Sequence, residues 1–535
     1  MFLSALKIKL IALVSVAGLN TDDMPELSKD MSDVLVQLAA DQQDEAKDNN
    51  AAFNEAVAKV RDLAQNGDKD ALYTLAHWFL QSGAQNVPQI VDLYSKASEK
   101  GQILAKVELA QVLLKAYSQE AARVEEAIDL LTEAEQVGNS GARRILAQLH
   151  LAGAGKLEKS VEKAKDLLVK ASESGDGAAT LDLSQLYQAG VEGLPRDDAK
   201  SLEYLKQAST QGNAEAMAAY GARLFNGDTA TKDRKPLVEK DPKAAMEMLS
   251  KAADKGFAAA NRLLGEIYEQ GLGGNEQDVE KGMQYLSKAA NGNDAQALYK
   301  LGVYSQVGLG TKDGDKTKVV IAPNPKNALD LFRQAAQNGL PQAFLQVGTY
   351  YESGTVVDKD LEKAFQFYLQ AANAGIPEAQ HKLGEFYQNG GGISQDVVAA
   401  AAWYDRASQQ NYAPSQIALG SMYELGIGVR QQPTAAAQQY SNAAEQGQPQ
   451  AMLKLASLYE RGIATAKSEP DLPRAWAYCQ LAVDASKSAP VAVQFRDLIQ
   501  KKMSEDQVAE GKKIYDSKKK VAEEAPSEGD KPKAE

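Results

Sequence analysis

The chain has 535 residues, of which 44% are hydrophobic, and its 59 basic and 72 acidic side chains give a formal net charge of −13. A domain usually holds about 100–200 residues, so this length indicates either several domains or one extended repeat array. The negative charge repels phosphate backbones and argues against nucleic acid as a partner. With a single cysteine, Cys479, the chain cannot form an internal disulfide or a metal site built from cysteines.

The first twenty residues have the pattern of a secretory signal peptide. Lys7 and Lys9 precede the apolar run IALVSVAGL, which ends at Leu19, and polar sequence follows. That run is too short to span a bilayer in the usual way, and no later stretch is longer. We therefore predict a signal peptide over residues 1–20, no integral membrane segment after its removal, and a periplasmic or secreted protein. The alternative is a cytoplasmic protein with a hydrophobic first helix.

A short pattern recurs along the chain at intervals of 34–46 residues. It reads LLGEIYEQGLG from Leu263, KLGEFYQNGGG from Lys382 and ALGSMYELGIG from Ala418. Self-similarity at such a period is typical of solenoids built from stacked repeats. Aligning the segments gives one small-residue column with eleven members: Ala76, Ala110, Ala147, Ser184, Gly221, Gly265, Gly302, Gly348, Gly384, Gly420 and Ala456.

Two further columns accompany the small residue. Glycine stands six positions later in nine of the eleven repeats, where a helix can end in a left-handed residue. Glycine inside a helix costs about 1 kcal/mol relative to alanine, so the small-residue column predicts close approach of a partner helix. Three positions after it an aromatic residue usually stands, and this side chain is expected to fill the space between helices. The members of this aromatic column are Phe79, Tyr187, Tyr268, Tyr351, Tyr387, Tyr423 and Tyr459.

A second helix follows in each repeat. DLEKAFQFYLQAANAG, from Asp360, opens with a helix-starting residue, carries apolar residues at three- and four-residue spacing, and ends in Ala-Ala before a glycine. Neither helix can bury its apolar face alone, so neighbouring repeats must stack. The predicted fold is all-α: a right-handed α/α superhelical solenoid of about eleven two-helix repeats over residues 53–486.

These motifs resemble the Sel-one-like repeat, a relative of the tetratricopeptide repeat. The clearest matches lie between Ala258 and Gly447, and weaker ones extend over most of the chain. The resemblance implies a non-catalytic adaptor or scaffold that binds protein or peptide partners. Together with the export signal it implies a role in the bacterial cell envelope, such as assembling a secretion or polysaccharide machine; a cytoplasmic regulatory adaptor is the alternative.

The segments outside the repeats have their own patterns. Residues 21–52 are acidic and are expected to form an N-terminal capping segment, and residues 487–517 a C-terminal capping helix. The tail 518–535 is charged and low in apolar residues, which predicts disorder.

Repeats five and seven carry insertions between their two helices. Both insertions are locally basic and contain a short apolar stretch, Leu237–Val238 in one and Val319–Ile321 in the other. Because insertions in repeat proteins often mark a binding face, we hypothesise a joint contact for an acidic or extended partner; tolerated surface loops are the alternative. The candidate residues are Lys232, Arg234, Lys235, Lys312, Lys316 and Lys318.

A second candidate surface comes from the register of the first helices. Residues three positions before the small-residue column are expected to line a concave groove, and several are apolar where solvent favours polar side chains. The alternative is that neighbouring repeats cover them. This helix-one row consists of Arg262, Tyr299, Leu345, His381, Ile417 and Leu453.

No catalytic, metal or cofactor motif stands out. The three histidines lack ligand spacing, and His150 takes the place of an aromatic residue in repeat three. Cys479 lies in an apolar helical run, which favours a buried, inert thiol. A cell-wall hydrolase is the alternative function, but it needs a nucleophile beside a base, and the sequence offers no such pair. We therefore predict a protein that is not an enzyme and needs no cofactor.

Overall fold

The computed structural model describes residues 31, 49–81, 86–228, 236–313, 316–463 and 469–524. Within these residues the chain forms 25 helices and two short strands. It divides into two compact units, Met1–Phe257 and Ala258–Glu535. The predicted signal peptide lies outside the described residues, as does most of the predicted segment 21–52.

The N-terminal unit contains eleven described helices: α1 Asn49–Gln65, α2 Lys69–Gln81, α3 Val87–Glu99, α4 Ile103–Ala116, α5 Ala121–Gln136, α6 Ser140–Ala152, α7 Val161–Glu173, α8 Gly177–Ala189, α9 Asp198–Thr210, α10 Ala214–Asn226 and α11 Pro242–Asp254. From α2 onwards they pack as consecutive pairs, which are repeats one to five.

The C-terminal unit continues the pairing through repeats six to eleven and adds two further helices. Its described elements are α12 Ala258–Gln270, α13 Val279–Asn291, α14 Ala295–Val307, β1 Leu309–Asp313, β2 Lys316–Ile321, α15 Pro325–Gln337, α16 Pro341–Ser353, α17 Leu361–Asn373, α18 Pro377–Asn389, α19 Val397–Gln409, α20 Ala413–Leu425, α21 Pro433–Glu445, α22 Pro449–Glu460, α23 Leu472–Ala485, α24 Pro490–Gln500 and α25 Glu505–Glu524. The all-α repeat array is confirmed, with eleven helix pairs.

The small-residue column lies where the two helices of a repeat approach each other most closely. A β-carbon added to Gly348 would lie 2.6 Å from the ring of Tyr368 on the second helix, and one on Gly420 would lie 2.7 Å from Tyr440. In repeat six the partner is an aliphatic side chain, since a β-carbon on Gly265 would lie 2.8 Å from Leu286. The predicted close approach is confirmed, because any side chain larger than hydrogen would displace these residues.

The glycine six positions later ends the first helix. Gly390 follows α18 with φ 73° and ψ 38°, and Gly426 follows α20 with φ 72° and ψ 34°. All nine glycines of this column have positive φ. Left-handed backbone is costly for other residues, which is why glycine recurs here.

The aromatic column packs against the second helix of the same repeat, as predicted. Four of its tyrosines stack on a ring of that helix, with ring centroids 5.6–5.7 Å apart and interplanar angles of 6–11°. These stacked pairs are Tyr187 with Tyr204, Tyr268 with Tyr285, Tyr351 with Phe367, and Tyr459 with Tyr478. In repeat three, His150 is buried and its Nδ1 lies 3.2 Å from the carbonyl oxygen of Glu158.

The insertion of repeat seven forms an antiparallel β-hairpin, which the sequence analysis did not predict. Thr311 pairs with Lys318 and Asp313 with Lys316, with a bulge between Leu309 and Gly310. Val320 and Ile321 pack against the core formed by α13 and α14. The β-branched residues of β2, together with the Asp-Gly pair at positions 313 and 314, are the signal that could have revealed it.

The C-terminal region differs from the expected single capping helix over 487–517. It contains two helices, and α25 continues through residues 518–524 of the tail that was predicted to be disordered. Contacts with α23 explain the longer helix, because the Tyr515 hydroxyl donates to Asp484 at 2.6 Å and the ammonium of Lys518 lies 5.1 Å from the ring centre of Tyr478. Residues 525–535 lie outside the described residues.

Candidate functional site

The helix-one row lies on the first helices of repeats six to eleven, in the C-terminal unit. Leu345 is buried at 5% exposure, and the other five members are half-buried. The row is therefore partly covered by neighbouring residues, and Leu345 contributes to packing rather than to open surface.

Contacts between successive repeats account for part of this burial. The Arg262 Nε lies 3.3 Å from the carboxylate of Asp294, which begins the first helix of the next repeat. His381 likewise reaches the next repeat, with its Nδ1 2.9 Å from the Ser415 Oγ. Within repeat seven, the rings of Tyr299 and Phe332 lie 5.4 Å apart. The row is a seam between repeats with half-exposed edges, rather than the open apolar strip that the register suggested.

A polar ladder runs beside this row, formed by the residues four positions after the small-residue column: Glu269, Glu352, Gln388 and Glu424. Glu352 accepts a hydrogen bond from the Tyr368 hydroxyl at 2.5 Å and lies 3.4 Å from the Lys382 Nζ of the next repeat. Glu424 repeats this arrangement, accepting from Tyr440 at 2.9 Å and pairing with Arg461 of the next repeat. Glu352 and Glu424 thus join the second helix of their own repeat to the first helix of the following one, whereas Glu269 pairs with Lys300 of the next repeat at 2.6 Å.

The tyrosines of the ladder stay protonated well above neutral pH. Burial raises the pKa of Tyr368 above its usual range, and its hydrogen bond to Glu352 raises it further. Burial also raises the pKa of Tyr440 and Tyr404. A neutral phenol can donate to the carboxylate or to the Gln388 amide oxygen, which Tyr404 reaches at 2.9 Å. These bonds therefore hold through the physiological range.

The structure brings together one serine–histidine–glutamate group that the sequence analysis missed. His381 Nδ1 contacts Ser415, and its Nε2 lies 3.5 Å from the Glu385 carboxylate. Hydrogen bonding from His381, with a further contribution from Lys382, lowers the pKa of Glu385 to about 2. Ser415 follows in the next repeat, 34 residues after His381, so no local motif could have revealed the contact.

This group lacks the exposure that nucleophilic catalysis requires. Ser415 has 0% exposure, so no substrate atom can approach its hydroxyl in this conformation. Cys479 is also fully buried, and burial raises the pKa of its thiol to about 12. Such a thiol remains protonated and inert at neutral pH. Among the described residues, no cluster of histidine, cysteine and acidic side chains could hold a metal ion.

Of the six basic residues predicted in the insertions, Lys318 is the one whose side chain the structure describes. Lys232, Arg234 and Lys235 lie outside the described residues, as do the side chains of Lys312 and Lys316. Lys318 is exposed and pairs with Glu280 at the start of α13. In the insertion of repeat five, Val238 is buried and its carbonyl oxygen accepts from the Asp228 N–H at 2.9 Å, so that apolar stretch anchors the loop.

Cavities lie along the turns that join the two helices of a repeat. One of them, of about 810 Å³, lies in the C-terminal unit between the turn of repeat six and the hairpin of repeat seven. Three others, of 540–690 Å³, lie at the turns of other repeats within one unit or the other. The sequence analysis pointed to this edge only through the two insertions. It could not predict the cavities themselves, because they arise from packing between consecutive repeats.

A family model described as Sel1 repeat matches nine segments that together cover more than half of the sequence: 141–176, 177–213, 214–257, 258–294, 295–340, 342–376, 377–412, 413–448 and 449–487. The chain belongs to the Sel1 repeat family. Repeats one and two of this Sel1 repeat protein precede the matched segments, yet they have the same helix pairing, with Ala76 and Ala110 fully buried.

A solved structure with the same fold was found. The crystal structure of c5321, a protective antigen of uropathogenic Escherichia coli with an SLR fold, is 22% identical, covers 87% of this chain and 94% of its own, and has a TM-score of 0.56. A Sel1 repeat protein from Oxalobacter formigenes is 23% identical over 50% of this chain and 96% of its own, with a TM-score of 0.40. A comparison with curated protein sequences returned no match.

Within the described residues, no helix of this Sel1 repeat protein is both long and apolar enough to cross a bilayer.

Proposed function

We propose that this protein is a non-catalytic scaffold of the bacterial cell envelope that binds a protein partner through the helix-one row, the adjoining polar ladder and the turn insertions. Sel1 repeat proteins generally act as scaffolds for protein–protein interaction. The observation that carries the proposal is the succession of half-buried side chains on the first helices of repeats six to eleven, which only the buried Leu345 of repeat eight interrupts. Such a surface offers a partner contact positions at a regular spacing along the array.

The chemistry of this surface favours a polar partner with apolar anchors. Ile417 and Leu453 are half-buried, so a partner can bury the rest of their apolar surface. The ladder beside them provides carboxylates such as Glu352, which is 30% exposed. Charged groups at the rim of an interface mainly set specificity and association rate, whereas buried apolar anchors supply most of the affinity.

The burial of Ser415 argues against the hydrolase alternative. A hydrolase needs its nucleophile and base at the surface of a cleft, and here the serine beside His381 has no exposed surface. The envelope location is supported by the basic and apolar pattern of residues 1–20. Amino-terminal sequencing of the mature protein from fractionated cells tests export: cleavage near residue 20 supports it, and an intact terminus in the cytoplasmic fraction contradicts it.

Photo-cross-linking in living cells tests the binding surface. A photoreactive amino acid at Ile417 or Leu453 is expected to give a discrete adduct with a partner protein, identified by mass spectrometry. The matched control is Gln438, an exposed residue on the second helix of repeat ten. Equal cross-linking from all three positions, or none from the helix-one row, would contradict the proposed binding surface.

A further inference from the structure

The cleft beside the β-hairpin lies mainly between two non-helical stretches of chain. One wall is the turn of repeat six, from Asn275 to Asp278, followed by the first residues of α13. The other wall is the hairpin, which contributes Gly310, Thr311 and Lys318. Tyr268 also lines the cleft, and the volume of about 810 Å³ falls within the range of binding pockets.

The hairpin side of this cleft includes Gly310, which is exposed and has no side chain to shield the main chain. In the part of the chain that the structure describes, the sheet consists of β1 and β2, so each strand has one outer edge. Outer-edge N–H and C=O groups are the usual docking site for an added extended segment. The amide side chains on the opposite wall are already engaged, Asn275 with the Leu272 carbonyl at 2.8 Å and Gln277 with the Glu269 carbonyl at 2.9 Å.

Counted over the side chains that the structure describes, the cleft has a net negative charge. Glu276, Asp278 and Glu280 line it, against the single ammonium of Lys318, which is itself paired with Glu280. The Lys281 Nζ lies 3.9 Å from the centre of the Tyr268 ring. With Lys281 included, three carboxylates stand against two ammonium groups at the cleft. Asp278 also accepts the Lys281 N–H at 2.9 Å and Glu280 pairs with Lys318, which leaves Glu276 as the most available anion. Glu280 can be shared between Lys318 and a second cation, because a carboxylate accepts several hydrogen bonds.

Exposed apolar side chains lie on the same two elements, next to the lining of the cleft rather than in it. Val319 on the hairpin is 64% exposed, and Leu272 in the turn is 39% exposed. Val320 and Ile321, by contrast, face the core and hold the hairpin in place. An isolated two-stranded hairpin is only marginally stable in water, so this packing explains how it stays formed beside the turn.

We propose that this cleft binds an extended peptide segment that carries a lysine or arginine. The main chain of the segment pairs with the hairpin, and its cationic side chain reaches Glu276 and Glu280. The inference rests on the proposed scaffold function and adds the chemistry of one bound segment. The insertion is basic by itself, which suggested an acidic partner, but the turn of the preceding repeat provides carboxylates that reverse this preference.

Fluorescence anisotropy with defined probes tests the proposal. The probes are fluorescein-labelled heptapeptides of alternating threonine and valine whose central residue is lysine, arginine, glutamine or glutamate, titrated with the full-length protein. The lysine and arginine probes are expected to bind at least about tenfold more tightly than the glutamate probe, with the preference falling as salt rises. Equal affinity for lysine and glutamate probes, or no binding of the lysine probe, would overturn the proposal.

Two variants locate the site. E276Q/E280Q is expected to remove most of the lysine preference, whereas D358N/E362Q, which changes the corresponding residues of repeat eight, keeps it. Both pairs are exposed, so neither variant is expected to disturb the fold. A preference that persists in E276Q/E280Q, or that is lost equally in both variants, places the binding elsewhere and overturns the proposal.

A hairpin replacement separates this inference from the proposed function. Residues 309–323 are exchanged for the Gly391–Gln395 turn of repeat nine, and circular dichroism verifies the helical content. Probe binding is expected to be lost, while partner cross-links from Ile417 and Leu453 remain. Retained probe binding would overturn the inference. The scaffold function is tested separately, because it fails if the protein with its native hairpin gives no cross-links from Ile417 and Leu453.

Discussion

Tyr404 packs so closely on Gly384 that a β-carbon added to the glycine would lie 2.4 Å from the tyrosine ring. The tyrosine is 2% exposed and its hydroxyl reaches Gln388, so the ring has little room to move. The pair represents the contact that repeats seven to ten share, in which an aromatic ring of the second helix lies on a glycine of the first.

Gly384→Ala is expected to destabilise the C-terminal unit. Overpacking costs about 1–3 kcal/mol, and the better helix propensity of alanine returns about 1 kcal/mol, so the free energy of unfolding falls by up to about 2 kcal/mol. Chemical denaturation followed by circular dichroism measures the change. The same substitution is repeated in a Tyr404→Leu background, where the smaller side chain leaves room for the added methyl group. Repeat three has this combination, since Ala147 and Leu168 stand at the positions of Gly384 and Tyr404 and lie in one core. If Gly384→Ala costs as much in the leucine background, the ring contact is not the cause.

Gly390→Ala tests the helix end rather than the helix contact. The residue has φ 73°, and left-handed backbone costs a non-glycine residue about 1–2 kcal/mol. The expected result is a loss of unfolding free energy of that size. Gly390→Asn is the matched control and should lose less, because asparagine tolerates this conformation. Equal losses for alanine and asparagine would point to steric crowding instead.

Glu385 makes stability depend on pH. Its folded-state pKa of about 2 lies below the ordinary glutamate value of about 4.3, so its ionised form stabilises the fold above that value. This contribution is lost as the pH falls from about 4.3 towards 2. The difference in melting temperature between wild type and E385Q should therefore shrink across that window. Because the side chain is 40% exposed, solvent screening reduces the effect. A constant difference from pH 5 to pH 2 would contradict the depressed pKa.

The ladder tyrosines are expected to resist ionisation in the folded protein. Burial raises the pKa of Tyr368, so its phenol stays neutral when exposed tyrosines ionise near pH 10. The resulting stabilisation is present below about pH 10 and is lost as the pH rises further. Absorbance of tyrosinate at pH 11 should be the same for native wild type and native Y368F, whereas after denaturation the wild type should gain one tyrosinate more. Equal amplitudes after denaturation and unequal ones before it would contradict the assignment.

Cys479 reports on the unfolding of the last repeat. Its thiol is fully buried and its pKa is raised to about 12, so a thiol reagent at pH 8 should label it only when α23 detaches from its neighbours. Labelling followed by mass spectrometry should be slow in buffer and rapid in denaturant. The control is C479S/E445C, whose exposed thiol should react rapidly in both conditions. Rapid labelling of Cys479 in buffer would show that this core opens readily.

The repeat and its helix ends were readable from the sequence because each depends on a local requirement. A small residue must recur wherever two helices touch, as at Gly384, and a glycine must recur wherever the backbone turns left-handed, as at Gly390. The small residue returns in all eleven repeats and the glycine in nine of them, so alignment of the chain with itself reveals both requirements. The same reasoning placed both insertions between the helices of their repeats.

The tertiary structure decided what those regularities could not specify. The contact of His381 with Ser415, the sharing of Glu352 between Tyr368 and Lys382, and the cleft between hairpin and turn all join side chains of different helices or repeats. Burial of Leu345 and the negative charge of the cleft follow from the same packing. Sequence periodicity fixes which face of a helix is apolar, but only the three-dimensional stacking of repeats determines which atoms meet across the seam between them.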